Sequence, residues 1–176
     1  YPIGDRNVAL GNTAGDSVEG GAIGNTLIGN AAGTAITTGD LNTVVGFDAL
    51  LAVTTQGYNT ALGYNTLKKT TGINNTAVGQ NALVETLAGN YNIALGSFAG
   101  DNITTGSGNV VIGKADVASA TGDDQLSISD GQDGTVQWIT GDSSGNVTVA
   151  GTVTANGQLL GAGAVWESKS ANFVAA

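Results

Sequence analysis

The apolar and polar positions of this chain recur every 16 to 18 residues, from residue 1 to about residue 121. Each of seven repeats begins with Asn, continues with three apolar or Thr residues, and then has Gly, two variable residues and usually a small residue. The short run between Asn and Gly predicts a β-strand. A unit of this length cannot bury its own apolar side chains, so the regular period predicts the stacked coils of a β-solenoid or β-roll.

Two positions of the repeat never change. Asn occupies the first, at Asn7, Asn25, Asn42, Asn59, Asn75, Asn92 and Asn109. Gly occupies the second, at Gly11, Gly29, Gly46, Gly63, Gly79, Gly96 and Gly113. Asn tolerates left-handed backbone conformations in turns, and stacked Asn amides can also form a hydrogen-bonded ladder. Seven Gly residues at one register predict a corner that no side chain can occupy.

Apolar residues fill both faces of the predicted strand, since successive side chains point to opposite sides. The third residue after Asn is always a large aliphatic one, and we expect it to form a continuous buried ridge: Leu10, Ile28, Val45, Leu62, Val78, Leu95 and Ile112. The second residue is usually smaller: Ala9, Leu27, Val44, Ala61, Ala77, Ala94 and Val111. The presence of two apolar faces indicates that neighbouring chains cover the second face. The small residues on that face allow the neighbouring chains to approach closely.

The pattern changes towards the C-terminal end. Asp116 replaces the small residue of the seventh repeat, which predicts the end of the stack. Residues 1–121 are therefore expected to form a seven-coil shaft. Residues 122–163 alternate apolar and polar positions between Gly-rich turns and predict a short antiparallel β neck, with Trp138 and Ile139 as core or interface anchors. We expect residues 164–176 to open a further domain.

Composition excludes several function classes. Charged residues make up 11% of the chain and the net charge is −9, which argues against binding to nucleic acid or to an anionic membrane surface. No apolar run approaches the ~20 residues that cross a bilayer. The chain has no Cys and no His, so the commonest metal ligand and general base are missing. We predict no catalytic residue, cofactor or metal site, and no enzyme activity.

The units NTAVGQNAL and NTALGYNTL, with their TTG linkers, resemble repeats in the tail and side fibres of tailed bacteriophages, notably phages of marine cyanobacteria. They are also similar to the head repeats of trimeric autotransporter adhesins, although the adhesin repeat is shorter and has Ser at the start of its strand. The segment GNVTVAGTVTANGQLLG resembles the β neck common in phage fibres. The resemblance covers most of the chain.

This resemblance implies an intertwined parallel homotrimer, in which each chain has two identical partners. It implies an extracellular location on the virion surface and a structural role, namely a shaft that presents a distal tip to a glycan or protein of the host cell. The first alternative is the head of a bacterial surface adhesin. The second is a monomeric ice-binding or carbohydrate-binding solenoid, and a glycan hydrolase is the least favoured.

Aromatic residues at variable positions of the scaffold are the candidate receptor contacts, since their rings can stack on sugars: Phe47, Tyr58, Tyr64, Tyr91 and Phe98. Filling of packing gaps is the competing interpretation.

Carboxylate pairs and Thr pairs are two further candidates. Asp123 with Asp124 and Asp130 with Asp133 could serve glycan hydrolysis, and the second pair could also bind calcium, but their Gly-rich surroundings favour turns. Four Thr pairs are expected to stack at one register, as in an ice-binding ladder, although strand propensity explains them as well: Thr37 with Thr38, Thr54 with Thr55, Thr70 with Thr71, and Thr104 with Thr105.

Overall fold

The structure is a computed structural model that describes residues 6–151. Within that range ten β-strands form one sheet in chain order, and there is no helix. The strands are β1 (Val8–Leu10), β2 (Thr26–Ile28), β3 (Thr43–Val45), β4 (Thr60–Leu62), β5 (Thr76–Val78), β6 (Ile93–Leu95), β7 (Val110–Ile112), β8 (Leu126–Ser129), β9 (Gln137–Gly141) and β10 (Val147–Val149). The predicted neck beyond residue 151 and the predicted opening of a further domain lie outside the described residues.

Strands β1 to β8 are parallel, and each pairs with the strand of the next coil. Equivalent positions of the repeat face each other, so that Leu27 pairs with Val44 and Val44 pairs with Ala61. Each coil therefore rises by one strand spacing, ~4.8 Å. The prediction of an all-β solenoid with coils of about 17 residues and a short antiparallel end is confirmed.

The core is a thin column inside the coils, and the second residue after Asn points into it. The residues at this position are buried from the second coil onward: Leu27, Val44, Ala61, Ala77, Ala94 and Val111. The rest of the coil returns beneath the strand and supplies the other buried columns. These columns contain the small residues Ala32, Ala49, Thr66, Ala82 and Ala99, and the residues eleven after Asn, namely Ile36, Val53, Thr70, Thr86 and Ile103.

Within a single chain, the expectation that the third residue after Asn forms a buried ridge is wrong. That column points outward, and the exposed fraction reaches 68% at Leu10 and 50% at Leu95. The physical reason is the width of the coil. The returning segment lies close beneath the strand, so the column that is mostly Ala or Val fits inside and the larger aliphatic column does not.

Large and small residues alternate within the core to keep it filled. A Cβ atom on Gly33 would lie 2.8 Å from side-chain atoms of both Leu27 and Ile36, because these side chains already occupy that space. Leu67 and Leu83 take the position of Gly33 in coils whose strands carry the smaller Ala61 and Ala77. In these coils the larger residue in one column fills the space left by the smaller residue in the other.

The Asn column forms a continuous amide ladder. From Asn25 to Asn109, the backbone N–H of each Asn donates to the side-chain Oδ1 of the Asn one coil earlier, at 2.7–3.0 Å. Most Nδ2 groups also bond within the ladder and to a turn carbonyl, as Asn92 does with Asn75 Oδ1 and with the carbonyl of Gly106. The left-handed conformation falls instead on the preceding residue, for example Tyr58 (φ 63°) and Tyr91 (φ 57°).

The Gly column is the corner that the sequence predicts. Its seven residues have φ between 98° and 144°, a region that side chains rarely allow. A Cβ atom on Gly79 would overlap the carbonyl oxygen of Gly96 in the next coil. Gly is required here both by the backbone conformation and by the approach of the neighbouring backbone.

The stack continues past Asp116, where its end was expected. Ala115 is buried in place of the small residue, and its carbonyl accepts from Gly100 N at 2.9 Å. Gln125 then replaces Asn in the ladder, with its backbone N 2.9 Å from Asn109 Oδ1. Strand β8 is thus parallel to β7 and antiparallel to β9, across a register shift at Ile128/Ser129. Trp138, an expected anchor, is half exposed and Ile139 is partly buried.

Replacing one ladder residue tests the importance of the amides. Asn75→Ala leaves the buried Asn92 N–H and the Gly89 carbonyl without their present partners. Each buried group left unpaired costs ~1–3 kcal/mol, so the free energy of unfolding should fall by about 2–5 kcal/mol in urea denaturation. The exposed Gln80→Ala in the same coil is the control and should change it by less than ~0.5 kcal/mol. Equal effects of the two substitutions would contradict a structural ladder.

Candidate functional site

The most extensive candidate surface is the outer side of the sheet, which we call the outward face. It consists of the first and third residues after each ladder residue of the eight parallel strands: Val8, Leu10, Thr26, Ile28, Thr43, Val45, Thr60, Leu62, Thr76, Val78, Ile93, Leu95, Val110, Ile112, Leu126 and Ile128. The pairing of Ile128 with Ile139, and of Ile139 with Val149, extends it onto β9 and β10. None of these residues is charged.

Every strand of the outward face carries an aliphatic side chain, over a length of about 45 Å for ten strands. The first position is Thr in β2 to β5 and aliphatic in β6 to β8, so the C-terminal half is the more apolar. Leu62, Ile93 and Val147 are among its well-exposed side chains. A continuous apolar surface of this extent is typical of an interaction surface.

The aromatic candidates do not form one site. Phe47 and Tyr64 occupy the same position in adjacent coils and stack on each other, with ring centroids 5.6 Å apart. Tyr58 and Tyr91 immediately precede ladder residues and are exposed, two coils apart. Phe98 is separate from these four and half-buried, with Lys114 Nζ 5.5 Å from its ring centroid. Stacking between neighbours already accounts for the first pair.

Phe98 borders a cavity of about 400 Å³ near the C-terminal end of the stack. The lining also includes Asp101, Lys114, Ala115, Asp116, Asp133, Gly134 and Gln137. The cavity forms where the sixth and seventh coils meet the loop between β8 and β9. In the sequence Phe98, Asp116 and Asp133 stand out for separate reasons, and nothing in their order predicts that they lie together. The repeat period could have indicated part of this cavity. The position 17 residues after Phe98 is Ala115, which lies between Lys114 and Asp116.

Two carboxyls of this cavity form a pair. The pKa of Asp101 is raised to about 6, first by partial burial and then by a hydrogen bond with the Asp116 side chain and by the charge of Asp116. The nearby Lys114 ammonium acts in the opposite direction. Around neutral pH the pair therefore retains a proton more readily than two separate carboxyls would.

The acidic pairs of the Gly-rich segments accept backbone hydrogen bonds, within a turn for Asp130 and from the preceding coil for Asp123. Asp130 Oδ1 accepts from the backbone N–H groups of Gln132, Asp133 and Gly134, and Oδ2 accepts from Val136. These bonds lower the pKa of Asp130 to about 2. Asp123 Oδ1 likewise accepts from the Ser107 backbone at 2.7 Å. Among residues 6–151, no group of acidic side chains is arranged to hold a metal ion.

The Thr pairs do not stack at one register, which corrects the expectation. Thr70 lies eleven residues after its Asn and is buried, at the core position that Val53 and Ile103 occupy in other coils. Its repeat has 16 residues, and the TTG sequence begins one place earlier. On the surface, Leu87 interrupts the series, since Thr71 N donates to Leu87 O and Leu87 N donates to Thr104 O.

Comparisons with known protein families, with curated proteins and with solved structures found no match to this chain. No helix within residues 6–151 is long and apolar enough to span a membrane.

The pairing of Asp101 with Asp116 predicts how the stability of the fold depends on pH. Because the pKa of Asp101 is higher in the folded chain than its ordinary value of 3.8, its stabilising effect is complete below about pH 4 and is lost as the pH rises through about 6. Asp101→Asn stays neutral, so it should flatten the fall in thermal unfolding midpoint between pH 4 and 7.

Asp142→Asn is the matched control for this measurement. Bonds from Asn146 and Ser144 lower the pKa of Asp142, so its titration affects stability only below about pH 4. This variant should keep the wild-type profile between pH 4 and 7. If Asp101→Asn also keeps that profile, the Asp101–Asp116 pair does not hold a proton as described.

Proposed function

We propose that residues 6–151 form part of a stiff structural shaft that assembles with identical chains through the outward face, as a segment of a phage fibre. The observation that carries the proposal is the continuous, uncharged outward face on a stack of in-register parallel coils. Structural shafts need length and resistance to bending more than chemistry, and a stack in which each coil is bonded to the next provides both.

A second copy of the chain is the partner that fits the outward face best. Its own outward face repeats at the same strand spacing, ~4.8 Å, so aliphatic side chains of parallel copies can interdigitate coil by coil. An unrelated partner would have to reproduce this spacing over ten strands. Among residues 6–151 the ionised groups lie off this face, so association would not force their excess negative charge together.

Three copies around a common axis would bury all three outward faces at once, in a closed symmetric assembly. The trimer, the extracellular virion location and a distal tip that contacts a host-cell glycan or protein follow from the resemblance of the repeats to phage fibres. A bacterial surface adhesin would use the same assembly. In either case the role proposed for this segment is mechanical, with no cofactor and no catalytic step.

Light scattering on residues 1–176 tests the assembly. A trimer has three times the 17.3 kDa mass of one chain. The double variant Leu62→Lys with Leu95→Lys places two ammonium groups on the outward face and should give the mass of a single chain, because these charges would be buried at the interface without partners. Circular dichroism should still show the β-structure, since both side chains point away from the core.

Leu87→Lys is the control, because Leu87 is similarly exposed but lies outside the outward face. It should leave the trimeric mass unchanged. A wild-type chain that is monomeric over the whole concentration range would overturn the proposal. Such a result would favour a self-contained solenoid that uses an exposed face to bind ice or carbohydrate.

A further inference from the structure

The C-terminal end of the stack carries a second kind of surface, which is concave and lined by both polar and apolar side chains. Next to the cavity beside Phe98 lies another of about 330 Å³, and the two share Asp116 and Gln137. The second cavity is bordered by Val117 and Leu126. Each volume is within the range of small-molecule sites, ~300–1,000 Å³. Together they form a groove between the seventh coil and β9, which we call the terminal groove.

The terminal groove contains hydrogen-bonding groups of several kinds beside an apolar wall. Asp101, Asp116 and Asp133 provide carboxyl oxygens, Lys114 provides an ammonium group, and the Phe98 ring provides an apolar surface. Some of these groups already form hydrogen bonds within the protein. Asp133 Oδ1 accepts from Thr135. Asp116 Oδ1 accepts from Asn102 N at 3.2 Å, and the Asp116 side chain also forms the hydrogen bond with Asp101 described above. The second carboxylate oxygen of Asp133 takes no part in its bonds to Thr135.

These groups disfavour several ligand classes. Three carboxyls against one ammonium repel an anion. A metal ion lacks a suitable arrangement of ligands among the described residues. An organic cation would compete with Lys114, which already lies near Asp101 and Asp133. A purely apolar ligand would leave the carboxyls desolvated without hydrogen-bond donors.

We propose that the terminal groove binds a neutral oligosaccharide. Neighbouring sugar hydroxyls can donate to the carboxyls of Asp116 and Asp133, which are strong charged acceptors. The Lys114 ammonium can donate to a hydroxyl or ring oxygen, and the C–H surface of a sugar can pack against Phe98. This binding site is independent of the outward face and of the proposed assembly.

Calorimetric titration of residues 1–176 with maltotriose, cellotriose and triacetylchitotriose tests this proposal. At least one of these neutral trisaccharides should give saturable binding, with a dissociation constant of about 1 mM or lower. Asp116→Asn should weaken it about tenfold, because the amide that replaces the carboxylate is a poorer acceptor for hydroxyls. Amide resonances of Ala115 and Gly134, which line the groove, should shift on titration in NMR spectra.

Asp123→Asn is the matched control, because it is the same substitution in the same part of the chain but outside the groove. It should bind the sugar as the wild type does. Absence of saturable binding with all three sugars, or equal weakening by both substitutions, would overturn the proposal. The light-scattering mass of Asp116→Asn should equal that of the wild type, so a failure here is distinguishable from a failure of the shaft assembly.

Discussion

The amide ladder of the Asn column is the constraint on which the rest of this structure depends. From Asn25 to Asn109 each Asn of the column is buried, and its side chain bonds to neighbouring coils, so one coil cannot shift along the chain without breaking bonds in its neighbours. In the residues described, no buried side-chain polar atom lacks a partner. A ladder with this property holds the coils in one register, because any other register leaves buried amides unpaired at a cost of several kcal/mol.

Holding the coils at strand spacing determines what the other columns can be. Gly is needed at the corner because successive backbones approach too closely for a Cβ atom, as at Gly79 and Gly96. The interior is narrow, so the inner strand position takes Ala or Val unless a Gly nearby leaves room, as Gly33 does for Leu27. The larger aliphatic residues are left on the outside. The outward face is thus a direct consequence of the narrow core, and it links the geometry of the repeat to the proposed assembly.

The end of the stack shows how small changes in the repeat alter the surface of the molecule more than its fold. One residue fewer around Ala115 turns Asp116 outward, and Gln125 continues the ladder where Asn would stand. Strand β9 then reverses direction, and the loop before it encloses the terminal groove. The regular coils provide a uniform surface suited to self-association. The irregular end provides a concave surface with titratable groups, which is where a specific ligand is proposed.

The period of the repeat is enough to predict the stacked coils and the roles of the Asn and Gly columns, because the same residue recurs wherever no other fits. It could not decide which apolar column is the core, since alternation places two columns on opposite faces without naming the inner one. That choice depended on how closely the returning segment lies beneath the strand. It also did not bring Asp101, Lys114 and Asp133 together, because their approach depends on a shortened seventh coil and a reversed strand. These points emerge from the packed fold alone, since they depend on distances between segments and not on the order of residues within one.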